Sequence, residues 1–418
     1  MFTSRITTPI PANPQYEDIF SSALATLFTD DTQTSHGVPG GHVSYHSPRF
    51  GKIDLRIPQH PAAEEGRTLF AHYLWNAGVI MAEGLERASS SGTEGERDQA
   101  PPPPPHHHHH HHHQDGSDEE QKSGEWQKRY WDVRGTKVLE LGAGTTPAHM
   151  RKSGTALPSI VAALSGARSA TITDHPSSPA LTTGAIEQNV RRNLVERVNP
   201  PETADADAEP SPSPSPSHPS TATLTQTPSS TAIDIFGYTW GTATMYTPAQ
   251  YGKPAEPQPE DFDRIIIADC LWMPSQHVNL VKTILRYLHR QEQQASGPAP
   301  QGPPIESCAL VVAGFHTGRE IVRHFFEVAT GDYRLPEEEE EEEEDAREND
   351  TRGEDKDKND QDGDGEAQVA KEVQGRLHAA EIFEIDVNGL RRPWEPLRPG
   401  ENKDQAKRWC VVAVLVRR

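Results

Sequence analysis

KVLELGAGT, residues 137–145, is the stretch whose reading decides the fold. Val138, Leu139 and Leu141 make an apolar run too short for a helix, and it stops at Gly142 and Gly144. Residues 136–141 therefore read as a buried strand that ends in a glycine turn. Such a turn lets a ligand approach the backbone, because no β-carbon stands in the way. Glu140 lies just before it.

Outward from this turn, strand-like and helix-like patterns alternate. Residues 157–164 read as helix, 170–173 as strand and 179–194 as helix. Strands follow at 233–238 and in FDRIIIAD from Phe262, then a helix over 275–289, then the strand CALVVAGF ending at Phe315. In the next helix, GREIVRHFFEVA, Ile321, Val322, Phe325 and Val328 fall on one face. IFEIDV from Ile382 and WCVVAVLV from Trp409 read as two closing strands, antiparallel and without a helix-length pattern between them. Strands that are apolar throughout, flanked by amphipathic helices, predict an α/β protein whose mostly parallel sheet is covered on both faces.

The rest of the composition explains what this core leaves out. Only 33% of the 418 residues are apolar, and 37 prolines accompany a formal charge of −22. Four stretches cannot repay the entropy of ordering and are expected to be disordered inserts. They are 87–124, with PPPPP and the eight histidines from His106 to His113; 200–230, with SPSPSPSHPS; 291–306; and 336–375, with its glutamate run. Between Glu337 and Glu366 stand 18 acids and 4 bases, a net of −14 that leaves −8 for everything else. The charge is thus mostly one solvated insert, and nucleic-acid binding through a basic face is disfavoured. The division expected is an N-terminal segment over 1–86, the Pro/His-rich insert, and one domain over 125–418 carrying the other three inserts.

No apolar run approaches the roughly 18 residues that span a bilayer, and the first residues lack the order of a signal peptide. A soluble protein of the cytoplasm, with the nucleus as a second location, is expected, with no membrane partner. Cys270, Cys308 and Cys410 each lie in an apolar run and read as reduced core residues. No metal site is expected; the histidine tract could collect transition metals without a fold, with codon slippage as the plainer origin.

In a parallel sheet, ligands bind beyond the carboxyl ends of the strands where strand order reverses. The glycine turn and Asp174, at the end of the next strand in ATITDHP, are both such ends. Asp174 can accept hydrogen bonds from two ribose hydroxyls, which leaves dinucleotides and S-adenosylmethionine as ligand classes. Gly142-Ala143-Gly144 is followed by TTPAHM, with no third glycine in register for a pyrophosphate. Glu140 beside the turn would repel a phosphate and suits a cationic ligand, so the methyl donor is favoured.

In HYLWNAGVIMAE, KVLELGAG, ALPSIVAALSGA, TDHP, GYTWG, FDRIIIADCLW and LVVAGFHTGRE, taken in chain order, the sequence resembles class I S-adenosylmethionine-dependent methyltransferases of the nicotinamide N-methyltransferase-like group. Its fungal members include elongation factor 1-alpha N-terminal and lysine methyltransferases. The resemblance covers most ordered segments from about Leu69 onward. It implies a Rossmann-like, seven-stranded, mostly parallel sheet with an antiparallel C-terminal strand. It further implies S-adenosylmethionine as cofactor, with contacts at Trp75, Gly142, Ala143, Gly144, Asp174, Trp240 and Ala268. Trp75 and Trp240 offer flat surfaces that could wall an adenine or a sulfonium, although each also fits a plain core. Asp269, next to Ala268, faces the same crevice or caps a helix.

Two departures stand out. About ten residues resembling TPAHMRKSGT separate the glycine turn from ALPSIVAALSGA, as a real loop or a mis-spliced insertion. After the fourth strand, Met273-Pro274 replaces the Asn-His pair of the elongation-factor enzymes, which leaves the substrate open.

A protein lysine with pKa about 10.4, or an amino terminus near 8, holds its proton at neutral pH, so an amine acceptor needs a base or desolvation. His277 and His316 follow the fourth and fifth strands and are the candidate catalytic or substrate-orienting residues, each with a surface or capping role as the alternative. The expected function is an N-methyltransferase for a protein amine, on a lysine or an N-terminus, with a translation factor as one such partner. A small-molecule amine methyltransferase and a non-catalytic binding protein that has lost cofactor affinity stand as the alternatives.

Overall fold

The computed structural model describes residues 3–8, 35–38, 40–58, 73–90, 125–142, 154–197, 231–247, 255–290, 306–332 and 373–418. Apart from their margins, the four expected inserts lie outside the described residues, as do Ala143, Gly144 and most of the ten-residue insertion. The first insert was expected from residue 87, but the helix before it continues to Ala88.

The N-terminal part contributes short strands β1 (Ile6–Thr7) and β2 (Ser35–His36), the hairpin β3 (His42–Ser47) and β4 (Gly51–Arg56), and β5 (Leu74–Trp75). Val43, Tyr45, Ile53 and Leu55 alternate inward along the hairpin. Helices α1 (Asn76–Ala88) and α2 (Lys128–Trp131) lead into β6 (Lys137–Leu141), α3 (Leu157–Leu164) and β7 (Ser169–Asp174). Glu83 and Glu86 of α1, both buried, hold the N-terminal strands. Glu83 pairs with Arg5 and Arg87, and Glu86 accepts from Ser47 Oγ at 2.8 Å and Arg49 N at 2.7 Å.

The helix expected over 179–194 is broken. Gly184, at φ +67°, ends α4 (Pro179–Thr182) and starts α5 (Ala185–Val190), which tightens into a π turn over Arg191–Val195. Beyond it come β8 (Ala232–Gly237), β9 (Arg264–Ala268), α6 (His277–Tyr287), β10 (Cys308–Gly314) and α7 (Arg319–Thr330). The chain continues through β11 (Leu377–Asp386), β12 (Arg391–Pro393), α8 (Lys403–Lys407) and β13 (Trp409–Arg417).

The main sheet runs β12-β11-β13-β10-β9-β6-β7-β8. Its five strands from β10 to β8 are parallel, and β13 lies antiparallel between β10 and β11. Eight strands are present where seven were expected. The extra one is the three-residue β12, created by the tight turn Asp386–Leu390, in which Asp386 Oδ1 accepts from Asn388 N at 2.9 Å and Leu390 N at 2.8 Å. Asn388-Gly389 is a hairpin signal, and Pro393 sits at the sheet edge where a missing N–H costs nothing.

Along β9, Ile266 joins the core beneath α1, α3 and α5, while Ile265 and Ile267 join the core beneath α6 and α7. That alternation shows why the strand is apolar throughout: side chains point to both faces and both are covered. In α7 the buried face is Val322, Phe325, Phe326 and Ala329, with Ile321 and Val328 half-buried, so it is rotated from the expected one. Strand order reverses at β6, which sends β7 and β8 one way and β9 and β10 the other. Among the described residues, no helix is long and apolar enough to cross a membrane.

Candidate functional site at the strand reversal

The register sets Leu141 beside Ile267 and Val312 beside Ala268, so the ends of β6, β9 and β10 lie level. At the end of β6, Gly142 turns with φ +72°, a left-handed conformation that favours glycine. Cys270, just past β9, tucks its thiol beneath this turn, with Sγ 3.3 Å from Leu141 O and 3.6 Å from Gly142 O. The cysteine is core, as expected, and it also ties the two strand ends together.

Asp174, ending β7, is fully buried. Its Oδ1 accepts from His175 N at 2.7 Å, and its Oδ2 has no hydrogen-bond partner among the described residues. Burial pushes its pKa up to about 8, Ser178 and the His175 N–H hold it down, and the charge of Glu140 raises it further. Burial likewise raises Glu140 to about 7. Rather than facing open space, Glu140 Oε2 accepts from Ser159 N at 3.1 Å and so caps α3, whose own N-cap residue is Ala156 and has no side-chain acceptor. The carbonyl of Asp174 receives Tyr238 N at 2.7 Å, which starts the loop that carries Trp240. Trp240 is buried, and its indole N–H finds no acceptor among the described residues. Gly241 anchors that loop through its N–H to Thr283 Oγ1 of α6, at 2.9 Å.

The other half of the site gathers at β9 and β10. Asp269 has φ +59°, sparsely populated for any residue but glycine and tolerated best by Asp and Asn. The conformation directs its backbone N–H to Val312 O at 2.8 Å, while its Oδ1 accepts from Gly314 N at 3.3 Å. His316 Nδ1 lies 3.8 Å from the same Oδ1. The imidazole stacks on Trp75, with centroids 4.6 Å apart and planes 24° from parallel. Trp75 is itself fixed by β5 pairing with β2, and the adjacent Asn76 Oδ1 meets His36 Nε2 at 2.7 Å.

Trp75, Asp269 and His316 thus converge beside Ala268, and Gly142 joins them through Cys270. Ala143 and Gly144 lie outside the described residues. His277 is packed differently. It is fully buried, with Nε2 2.8 Å from Leu271 O, Nδ1 2.8 Å from His324 Nδ1, and Phe325 edge-on to its ring. Burial lowers its pKa to about 4. Both ring nitrogens are spent on holding the loop after β9 to α7, so as placed it presents neither to a substrate. Its signal in the sequence, a histidine shortly after a strand end, is the same as that of His316; only the packing of α7 separates them. His36 and Asn76 carried no signal, because they act through contacts 40 residues apart. Among the described residues, no group of three or more His, Cys, Asp or Glu side chains is placed to hold a metal ion.

No protein-family model matches the chain. A protein N-terminal and lysine N-methyltransferase of Emericella nidulans is 31% identical over 160 residues, 38% of this chain and 46% of the relative. Proteins of the same description from Gibberella zeae and Aspergillus fumigatus are 29% and 26% identical, over 36% and 39% of this chain and 43% and 46% of theirs. The matches therefore span less than half the length of these relatives. In its matching segment, this chain is similar to fungal proteins described as protein N-terminal and lysine N-methyltransferases.

Proposed function

We propose that the chain is an S-adenosylmethionine-dependent N-methyltransferase that acts on a protein amine, a lysine or an N-terminus. The observation that carries this reading is the buried Oδ2 of Asp174, unmatched among the described residues, in the crevice of the strand reversal. An orphaned buried acceptor is costly unless a donor meets it, and a ribose hydroxyl is such a donor. The buried indole N–H of Trp240 is the converse, a donor that an adenine ring nitrogen would satisfy. The residues present therefore fit the cofactor, and Gly142 leaves backbone room beside it.

S-adenosylmethionine supplies the methyl group when bound. The chain's own task is to align the acceptor amine in a dry site and to relieve it of its proton, since alignment is worth several orders of magnitude. His316, with Nδ1 turned toward Asp269, takes that proton or orients the amine. Asp269 steadies the imidazolium that results, and Trp75 shields the pair from water. The names of the relatives favour a protein over a small-molecule acceptor.

Calorimetry with S-adenosylmethionine tests the pocket, and transfer of labelled methyl groups from that donor into a fungal cell lysate tests the reaction. Binding with label in protein bands is expected. Label in small molecules alone would move the substrate to the nicotinamide type, and no heat at millimolar donor would leave a binding protein without catalysis.

A further inference from the structure

The loop 315–318 that carries His316 joins β10 to α7, and three residues beyond the histidine stands Arg319, only 8% exposed. All five N–H donors of its guanidinium are taken. Nη1 donates to Glu384 Oε1 at 2.5 Å and to Glu395 O at 2.9 Å. Nη2 donates to Glu384 Oε2 at 3.2 Å and Glu401 Oε2 at 2.6 Å, and Nε donates to the same Glu401 oxygen at 3.2 Å. The flat face of the group covers the Phe315 ring at 4.1 Å, and Phe315 in turn stacks on Trp394 with centroids 5.8 Å apart. Arg392 bridges both glutamates, at 2.6 Å and 2.5 Å, and so closes a buried cage.

This cage joins the loop to β11, to β12 through Arg392, and to the segment preceding α8, all of them remote in sequence. A buried ion pair of this kind is a poor source of net stability, because desolvation offsets the attraction, but it selects one geometry sharply. The planar fork of arginine makes all five hydrogen bonds at once, to four acceptor atoms; a lysine ammonium has three donors and no plane. Next to Arg319, Gly318 has φ +119°, and its N–H returns to the O of Phe315, at the loop's other end, at 3.1 Å. The loop is thus held at both ends, with His316 between them.

We propose that Arg319 is a positioning residue, which through this cage holds His316 flat on Trp75 with Nδ1 toward Asp269. The proposal rests on the reading of His316 as the group that meets the acceptor amine. It assigns the β11–β12 hairpin, which supplies none of the crevice residues named above, a share in aligning the reaction.

The test uses the full chain with 15N-labelled tryptophan. The Trp75 indole N–H resonance, assigned with W75F, reports the ring current of the stacked His316, and H316A calibrates the shift produced by losing the stack. R319K, and the milder E401Q which removes one arm of the cage, are compared with wild type at a temperature where circular dichroism shows each folded. Both variants are expected to move the Trp75 resonance toward its H316A position. Affinity for S-adenosylhomocysteine should stay within about threefold, while methyl transfer into a fungal lysate falls about tenfold or more. Should R319K fail to fold, E401Q decides. An unmoved resonance in the folded variants overturns the proposal, as does a loss of rate matched by an equal loss of S-adenosylhomocysteine affinity. If wild type transfers no methyl group, the function proposed above fails, while the resonance still decides whether Arg319 positions the loop.

Discussion

Replacing Asp174 by Asn should make the ligand-free protein more stable above neutral pH and at the same time cripple cofactor binding. The carboxyl has a pKa of 3.8 when free and about 8 in the fold, because burial disfavours its charged form. A raised folded-state pKa means the native state holds its proton more tightly than the unfolded chain. Stability is therefore full below the unfolded value and is lost as pH rises through the folded one. At about 1.4 kcal/mol per unit, the shift makes the buried group roughly 5 kcal/mol more costly at about pH 9 than at about pH 4. Asparagine does not titrate and escapes this, but its amide leaves an unmet donor worth about 1–3 kcal/mol, so a net gain of about 2–4 kcal/mol is expected at about pH 9. Glu140, also raised by burial, repels Asp174, so the two titrate as a pair and the transition is broad. Urea denaturation of both proteins from about pH 5 to about pH 9 measures the difference. Calorimetry with S-adenosylmethionine measures the loss, expected at tenfold or more, since hydrogen bonds to a charged group are worth about 1.5–3 kcal/mol. Stability curves that stay parallel across that range, with donor affinity unchanged, would refute the assignment of Asp174 as a buried, ligand-seeking carboxylate.

Two further outcomes follow from the same geometry. His277 has its pKa lowered to about 4 by burial, so its contribution is present above about pH 6.5 and is lost as pH falls toward the folded value. H277Q should cost about 1–3 kcal/mol near neutrality for its lost hydrogen bonds and should flatten the acid limb of a urea-stability profile. An acid limb as steep as that of wild type would contradict this. At Asp269 the left-handed backbone predicts that D269N stays within about 1 kcal/mol of wild type in urea midpoint-derived stability. D269A should lose about 2 kcal/mol, through strain and the abandoned Gly314 N–H. Both should lower methyl transfer, and equal stabilities for the two would remove the backbone argument.

The legible parts of this chain share one physical character: they are local. Helix α3 begins and ends at the residues its pattern indicates, because an apolar run with Pro158 near its start and Gly166 after its end contains its own boundaries. Strands β6, β9 and β10 were readable for the same reason, as short, largely apolar runs closed by Gly or Asp. The break at Gly184 was legible in principle, since a glycine within a helical pattern is a stop signal. By contrast, β11 starts at Leu377, five residues before the expected start, because LHAAE does not alternate and becomes a strand only by pairing with β13.

Of the site, the sequence by itself determined which residues stand at strand ends: Gly142, Asp174, Ala268, Asp269 and His316, each marked by what precedes it along the chain. Tertiary structure alone decided which of them meet. It stacked Trp75 on His316 across 241 positions of sequence, sent the equally well-marked His277 into the core, and gave Arg319 its four acceptor atoms from Glu384 of β11, Glu395 and Glu401. The physical reason is that a strand or helix is selected by interactions among near neighbours, whereas the direction of a side chain at its end depends on elements that arrive from elsewhere in the chain and leave it either a partner or a void.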